Sequence, residues 1–381
     1  MDPAVLEAML PYLRDHFANP SASYRPARTV QRAVQAAREQ VATLIGAGPE
    51  EIVFTSGGTE ADNAAINSAR LYWPQRRHLV IATTEHSAVI EPARRWEEDG
   101  GMVTRVPVGP DGLISLDALR LAVRPGETAL VSIMWANNET GVIAPIEEIA
   151  RVAHEAGALM HTDAVQAAGK LAIHLRSLPI DLLSLSGHKM HAPKGIGALF
   201  VSKRVRFQPS MLGGGQEQER RGGTENVPGI IALGKAAELA TAADQAAIAV
   251  MRDLFEARLQ SVLPGVSVNG HAAPRLAGTS SLSFPGIAAA EMLILLDERG
   301  VCCSAGAACH AANAHPSHVL EAMGLDAGHA ACTLRFSFSR FTTVAEVREA
   351  AGHVIAAAGK LQAMKADEEG PVVLSSPHLV P

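Results

Sequence analysis

Lys189 has the sequence setting most typical of a chemical role. Segment 183–192, LSLSGHKMHA, places a histidine and then this lysine directly after a short apolar run. We interpret the run as a buried strand that ends in a polar turn, which puts Lys189 at the rim of a sheet. Lysine is normally a solvated surface charge. One fixed at a strand end beside Ser186 and His188 indicates an amine that forms a Schiff base with a carbonyl cofactor, and pyridoxal phosphate (PLP) is the obvious candidate.

A phosphate site is predicted in segment 54–66, FTSGGTEADNAAI, which has the pattern of a strand, a glycine turn and a helix. This pattern places the backbone N–H groups of Gly58 and Thr59 at a helix amino terminus, where a phosphate can dock. The Thr59 hydroxyl can add a hydrogen bond, and Ser186 and His188 can close the same site from the lysine strand. A plain tight turn explains the glycine pair equally well.

Segment 161–166, HTDAVQ, supplies the carboxylate that a PLP ring needs. Asp163 ends a predicted strand, and its charge can keep the pyridine nitrogen protonated, so that the ring absorbs electrons from the substrate carbon. Gln166 can bond the phenolic oxygen of the cofactor. The alternative is that Asp163 caps the following helix.

Two further polar residues follow predicted strands. His86, in TTEHSAV, can stack on the cofactor ring and shuttle protons, although a lone histidine there is also typical of a structural donor. Asn138, in MWANNETG, can bond the ring oxygen and a substrate carboxylate. The alternative for Asn138 is a polar turn, which the composition of NNET favours.

Cys309 is the candidate nucleophile. It lies in the Gly- and Ala-rich stretch CCSAGAACHAANAHPS, which predicts an accessible loop. Cys302 and Cys303, at a predicted strand end, and Cys332 are interpreted as buried packing residues.

Arg335, in the strand pattern LRFSFSR, can hold an amino-acid carboxylate by a two-pronged contact. Arg340 is the competing candidate for this role. A surface ion pair is the alternative for either arginine.

Composition limits the class of protein. The 381 residues and 40.0 kDa favour two domains, and a formal charge of -6 without a basic stripe argues against nucleic acid or an anionic membrane as partner. No apolar run approaches the ~20 residues that span a bilayer, and the opening residues do not resemble a signal peptide, so we expect a cytoplasmic protein. The four cysteines match neither a disulfide framework nor a metal site.

The arrangement of apolar runs predicts the fold. Six of them, EIVF, HLVIA, ALVSIMWA, ALMHTDA, DLLSLS and GALFVS, alternate with helical patterns and predict an α/β domain with a mostly parallel sheet. One or two long helices and a smaller α+β domain follow. We expect a large cofactor-binding domain over 10–245, a small domain formed by 1–9 and 246–363, and a mobile tail over 364–381.

Read together, SGGTE, TEH, MWANNETG, HTDAVQ, SGHKMHAPKGIG, RRGGTEN, the cysteine loop, PSHVLEAMG and LRFSFSR resemble, in order and spacing, the NifS/IscS group of cysteine desulfurases. The resemblance covers nearly the whole chain. It implies a PLP enzyme of fold type I in the class-V aminotransferase family, with Lys189 as the Schiff-base residue and Asp163 at the pyridine nitrogen. It also implies a homodimer with active sites at the interface, where Thr224 of RGGTEN reaches the phosphate bound by the other subunit.

The same resemblance implies the reaction. Free L-cysteine would be converted to L-alanine, with Lys189 or His86 moving protons and the Cys309 thiolate attacking the substrate sulfur. The sulfur would remain on Cys309 as a persulfide, for transfer to an iron-sulfur scaffold or another acceptor protein.

Two departures from the family pattern keep alternatives open. The family's usual opening strand precedes the point where this chain begins, which is compatible with a catalytically impaired scaffold homologue. The loop residues Ala307, Ala308, Cys309, His310 and Ala311 are closer to those of animal selenocysteine lyases, so selenocysteine is the alternative substrate.

Overall fold

A computed structural model of the chain describes residues 1–241, 243–305 and 317–368. The large unit contains a seven-stranded sheet in the order β1-β7-β6-β5-β4-β2-β3. Its strands are β1 (Ile52–Thr55), β2 (His78–Ala82), β3 (Met102–Val106), β4 (Thr128–Ser132), β5 (Leu159–Asp163), β6 (Leu182–Ser186) and β7 (Gly197–Val201). Only β7 runs against its neighbours in this sheet, so the prediction of a mostly parallel sheet is confirmed.

Helices cover both faces of this sheet. They are α1 (Pro3–Arg14), α2 (Arg25–Leu44), α3 (Gly58–Tyr72), α4 (Ser87–Glu98), α5 (Leu116–Ala122), α6 (Ile146–Glu155) and α7 (Val227–Thr241). Alternate residues of a strand face opposite layers, and in β4 Leu130 joins the core beneath α3 and α4 while Val131 joins the core beneath α2 and α7. Burial on both faces explains why the strands are continuous apolar runs.

The smaller unit has its own core. An antiparallel sheet in the order β10-β11-β9-β8 packs against α8, α9 and α12. Its elements are α8 (Gln245–Val262), β8 (Ser267–Val268), β9 (Thr279–Ser283), α9 (Ala289–Asp297), β10 (Ser304–Ala305), α10 (His318–Ala322), α11 (Ala327–Ala331), β11 (Thr333–Ser337) and α12 (Val344–Glu368). The predicted α+β character of this unit is therefore confirmed.

The structure differs from the sequence-based boundaries at both ends. Residues 1–9 were expected in the small domain, but α1 packs on α7 and the fully buried Val5 belongs to the core of the large unit. The tail was expected from Met364, but α12 continues to Glu368, and residues 369–381 lie outside the described residues. Strand β3 was not predicted because most of its side chains are exposed or half-buried at the sheet edge.

Strand β1 forms the opposite edge of the sheet and is covered by a buried ion pair. Glu217 accepts hydrogen bonds from Arg38 Nη1 (2.7 Å) and Nη2 (2.8 Å) and from the Phe54 backbone N–H (2.9 Å). Arg38 also donates to the Ile52 carbonyl (2.7 Å). Residues 217–219 all have left-handed backbone, with φ of 49°, 58° and 63°. The ion pair therefore holds a strained turn against an edge strand that would otherwise expose unpaired backbone groups.

Replacing Arg38 with Met should lower the free energy of unfolding by about 3–5 kcal/mol, because the buried Glu217 carboxylate loses its partner. Arg94→Met is the matched control, since Arg94 pairs with Glu91 and Glu98 on an exposed face of α4, and its loss should be at most about 1 kcal/mol. Urea unfolding of the two variants measures both losses. Equal losses would contradict a special role for the buried pair.

Candidate active site

One cavity of about 280 Å³ opens at the carboxyl ends of the parallel strands. Parallel strands end at one edge of a sheet, so residues that follow β1, β2, β4, β5 and β6 converge there. Many of the sequence-predicted residues line this cavity. Those that β1, β2 and β6 position are Gly58, Thr59, His86, Ser186, His188 and Lys189. Those contributed after β4 and β5 and by β11 are Asn138, Asp163, Gln166 and Arg335.

The amino terminus of α3 lies against this cavity. Within the described part of the chain, no side chain caps this helix, which leaves its first N–H groups pointing at the site. A side chain at position 58 would place its Cβ 2.6 Å from Val165 Cγ2, so only glycine permits this approach. Ser186 Oγ and His188 Nδ1 are 2.9 Å apart at the same end of the cavity. This geometry suits an anion such as a phosphate.

Asp163 presents a buried carboxyl group at the end of β5. Its Oδ1 accepts a hydrogen bond from the Val165 N–H (2.8 Å) in a turn. No helix lies between β5 and β6 in this described part of the chain, so the helix-capping alternative is wrong. The residue also lines the cavity. Burial raises the pKa of Asp163 to about 6, and the Lys189 charge opposes that rise.

Two other buried acids surround Asp163. Burial, followed by the Asp163 charge, holds the pKa of Asp62 well above its usual value, and burial does the same for Glu85. Asp62 Oδ1 lies 3.6 Å from Nε2 of His161, whose pKa burial lowers to about 3. Among these three acids, Asp163 is the one whose pKa rise is opposed by a nearby cation, Lys189.

His86 makes a structural contact of the kind considered as its alternative role. Its Nδ1 accepts a hydrogen bond from the Ala88 N–H (3.1 Å) at the start of α4. Because Nδ1 is an acceptor, the neutral ring carries its proton on Nε2. The ring also lines the cavity, and its role in proton transfer stays a prediction.

Lys189 lies on a short 3-10 turn, Gly187–Met190, directly after β6. It is half-buried and lines the cavity. The neighbouring turn residues His188 and Met190 are exposed and buried, respectively. The turn therefore fixes the lysine backbone while its side chain faces the cavity.

The two candidate arginines have different surroundings. Arg335 lines the cavity, and its Nη1 donates to the Asn138 carbonyl (2.8 Å). Arg340 is ion-paired with Asp2 and lies over the Phe341 ring. Arg335 is therefore the arginine placed to meet a carboxylate in the cavity.

The NNET turn assigns separate tasks to its two asparagines. The buried Asn137 holds the turn, since its Oδ1 accepts from the backbone N–H groups of Glu139 (2.9 Å) and Thr140 (3.0 Å). Asn138 instead lines the cavity. The polar-turn alternative therefore describes Asn137, and binding by Asn138 stays a prediction.

Two predicted site residues are not brought to this cavity. Thr224 is exposed and is not among the lining residues of its own chain. Cys309 lies outside the described residues. The expectation that Cys302 is a buried packing residue is wrong: Cys302 is exposed, while Cys303 and Cys332 are half-buried. Burial raises the pKa of Cys303 to about 11.

Sequence reasoning missed several lining residues, among them Asp62, Glu139 and His318. Asp62 lies four residues after Gly58 and so shares the inward face of α3, a helical spacing that could have indicated it. His318 follows the cysteine loop, and its Nε2 lies 3.0 Å from the Glu85 carbonyl oxygen. No local pattern marks His318, because its partner is distant in sequence.

Two features are absent from the described residues. Across 1–241, 243–305 and 317–368, no group of three or more His, Cys, Asp or Glu side chains is arranged to hold a metal ion. Over the same ranges, no helix combines the length and the apolar character needed to cross a membrane.

Comparisons with known proteins agree with this geometry. A family model described as aminotransferase class-V matches residues 1–349. A cysteine desulfurase of Trichormus azollae is 46% identical over 376 residues, which cover 97% of this chain and 94% of that protein. A solved NifS-like protein superposes with a TM-score of 0.87 at 33% identity and covers 95% of this chain and 97% of its own. A structure described as SspA in complex with cysteine gives a TM-score of 0.80 at 37% identity, covering 90% and 97%.

The fold and the cavity are those of a PLP-dependent enzyme of fold type I. The chain belongs to the class-V aminotransferase family and, within it, to the cysteine desulfurases. The residues of the cavity fit the cofactor, because an uncapped helix terminus, a buried carboxyl group and a half-buried lysine suit a phosphate, a pyridine nitrogen and a carbonyl carbon, respectively.

Asp163 should make the stability of the cofactor-free chain depend on pH. With its pKa raised to about 6, the folded chain keeps a proton that the unfolded chain loses near pH 4, so stability falls as pH rises between these values. Asp163→Asn should remove roughly 2 kcal/mol of this fall. Urea unfolding at pH 4 and pH 7 measures it.

The control is Asp117→Asn, which changes an exposed carboxylate on α5 and should retain the parental pH dependence. If Asp163→Asn also retained it, the protonation assigned to Asp163 would be wrong. In parallel, Asp163→Asn should weaken retention of PLP on gel filtration, because the pyridine nitrogen loses its anionic partner.

Proposed function

We propose that this chain is a cysteine desulfurase that converts L-cysteine to L-alanine and leaves the sulfur on Cys309 as a persulfide. The observation that carries the proposal is the convergence of Lys189, Asp163 and Arg335 on one cavity in a chain 46% identical to a cysteine desulfurase. The similarity to relatives described as cysteine desulfurases favours this activity over selenocysteine lyase and over an inactive scaffold.

The residues of the cavity have distinct proposed roles toward the cofactor. Lys189 bonds the cofactor carbonyl carbon, and Asp163 pairs with the pyridine nitrogen. Gly58 and Thr59 donate to the phosphate, assisted by Ser186 and His188, and Gln166 donates to the phenolic oxygen. Bound PLP supplies an electron sink for the charge left on the substrate α-carbon after proton loss.

The substrate is held by its carboxylate. Arg335 has a guanidinium group at the cavity wall, held in place by its hydrogen bond to the Asn138 carbonyl, and the Asn138 side chain lies beside it. A guanidinium group offers two parallel donors to a carboxylate, which fixes the direction of the amino acid as well as its position. Lys189 and His86 then move protons to and from the substrate carbons.

Sulfur transfer requires no external oxidant. The Cys309 thiolate attacks the substrate sulfur, a sulfur–sulfur bond forms, and the carbon–sulfur bond breaks. The electron pair of the broken bond stays with the carbon, which is protonated to become the methyl group of alanine. A thiol reductant or an acceptor protein then removes the persulfide sulfur.

The proposal extends to the surroundings of the enzyme. We infer a homodimer in which Thr224 contacts the phosphate bound by the other subunit, since Thr224 is exposed and away from the cavity of its own chain. The sulfur acceptor is an iron-sulfur scaffold or another acceptor protein. The cysteines at 302, 303 and 332 are free thiols, which is compatible with a reducing cytoplasm.

Alanine formation from L-cysteine by the PLP-loaded chain, with a thiol reductant present, tests the reaction. Cys309→Ser should abolish it, because serine has no sulfur to accept a second sulfur. Cys302→Ser is the matched control, since Cys302 is an exposed thiol close in sequence, and it should leave activity near the parental rate. Full activity of Cys309→Ser would refute the persulfide step.

Subunit mixing tests the proposed role of Thr224. Lys189→Ala and Thr224→Ala chains should each lose most of the visible absorption of bound PLP as homodimers. In a mixed dimer, one of the two sites combines an intact Lys189 with an intact Thr224 of the other subunit. About half of the parental absorption should therefore return. No recovery in a verified mixed dimer would contradict sharing of sites between subunits.

A further inference from the structure

Lys170 is a basic residue beside the cavity to which the proposed reaction gives no task. It lies on the turn after β5, and its Nζ donates a hydrogen bond of 2.8 Å to Gln166 Oε1. Gln166 in turn lines the cavity. Lys170 is half-buried as a residue, and its amine is directed at a cavity residue.

The backbone that carries Lys170 is fixed from three sides. Lys170 N–H bonds the Ala167 carbonyl at 2.9 Å. Gly169 adopts a left-handed φ of 73°, and a Cβ there would come within 2.8 Å of Ala240 Cβ on α7 and 3.1 Å of Met190 Sδ. Met190 belongs to the same 3-10 turn as Lys189. The position of Lys170 is therefore coupled to the turn that presents Lys189.

The contact determines how the Gln166 amide is oriented. An amide can turn either its oxygen or its NH₂ group toward a partner. A lysine ammonium group only donates, so it requires Oε1 of Gln166 to face it, and the two Nε2 hydrogens then point away from Lys170. Burial, reinforced by Lys189 and Arg335, lowers the pKa of Lys170 to about 8, so the ammonium form still predominates at pH 7.

We propose that Lys170 is a positioning residue that orients the Gln166 amide as a hydrogen-bond donor to the cofactor's phenolic oxygen, and thereby sets the pH at which the bound cofactor loses a proton. The inference rests on the proposed function, in which Gln166 contacts that oxygen. The charged and titratable groups around Lys170 are Lys189, Arg335, His188 and His191. All are basic, and they favour an anionic oxygen at this place.

The direction of the effect follows from charge. A donor to the phenolic oxygen withdraws negative charge from it, which weakens its hold on the proton shared with the Lys189 nitrogen. Without Lys170, the amide is free to turn and the oxygen keeps more charge. The shared proton is then retained to a higher pH.

The experiment titrates the visible absorption of the PLP-loaded holoenzyme against pH. Lys170→Met should raise the midpoint by about one pH unit, a tenfold change in the proton equilibrium. Lys170→Arg should stay close to the parent, because arginine is also a cationic group that only donates. Gln166→Ala should raise the midpoint as well, and adding Lys170→Met to it should produce no further shift.

These outcomes separate the possible failures. An unchanged midpoint in Lys170→Met, or an equal extra shift in the Gln166→Ala background, overturns the inference while the proposed function stands. A parent chain that binds no PLP overturns both. Urea unfolding of each variant identifies a general loss of structure. Such a loss would lower the stability of Lys170→Met, but it would not make the midpoint shift depend on the presence of Gln166.

Discussion

The site depends on opposite charges held at the ends of two adjacent parallel strands. Asp163 ends β5, and Lys189 follows β6, its direct neighbour in the sheet. A buried carboxylate is costly to ionise, as the raised pKa of Asp163 shows, and the hydrogen bond from the Val165 N–H and then the Lys189 charge offset part of that cost. The two residues are well separated in the chain, and the pairing of β5 with β6 places both at one edge of the sheet. The strand pairing therefore does more than form a core, because it brings these two groups together.

A second layer of polar groups keeps that charge balance from being disturbed. Asp62 and Glu85 are buried near Asp163, and burial holds the pKa of each well above its usual value. If all three acids were ionised, their repulsion in a region of low dielectric would be larger than one lysine could offset. Burial therefore disfavours ionisation of Asp62 and Glu85 beside Asp163.

The sequence was informative wherever a residue's role depended on its own neighbours. Continuous apolar runs marked six strands because both faces of those strands are covered by helices, and the polar residues just after them proved to line the cavity. Strand β3 escaped prediction because its edge position leaves most of its side chains exposed or half-buried. The place of α1 depended on Val5 meeting a core formed by segments far along the chain, which no local pattern records.

The same reasoning explains why Lys170 and Asp62 were overlooked. Neither residue follows a strand directly. Lys170 matters because it contacts Gln166, and Asp62 matters because it lies beside His161 and near Asp163. Basic groups gather on the side of Gln166, Lys189 and Arg335, while the acids gather behind Asp163. A flat cofactor bound between them would have its ring oxygen among cations and its ring nitrogen beside an anion. The anion would keep the ring nitrogen protonated, and the cations would stabilise an anionic ring oxygen, so the arrangement of charge around the cavity favours the chemistry that the individual side chains suggest.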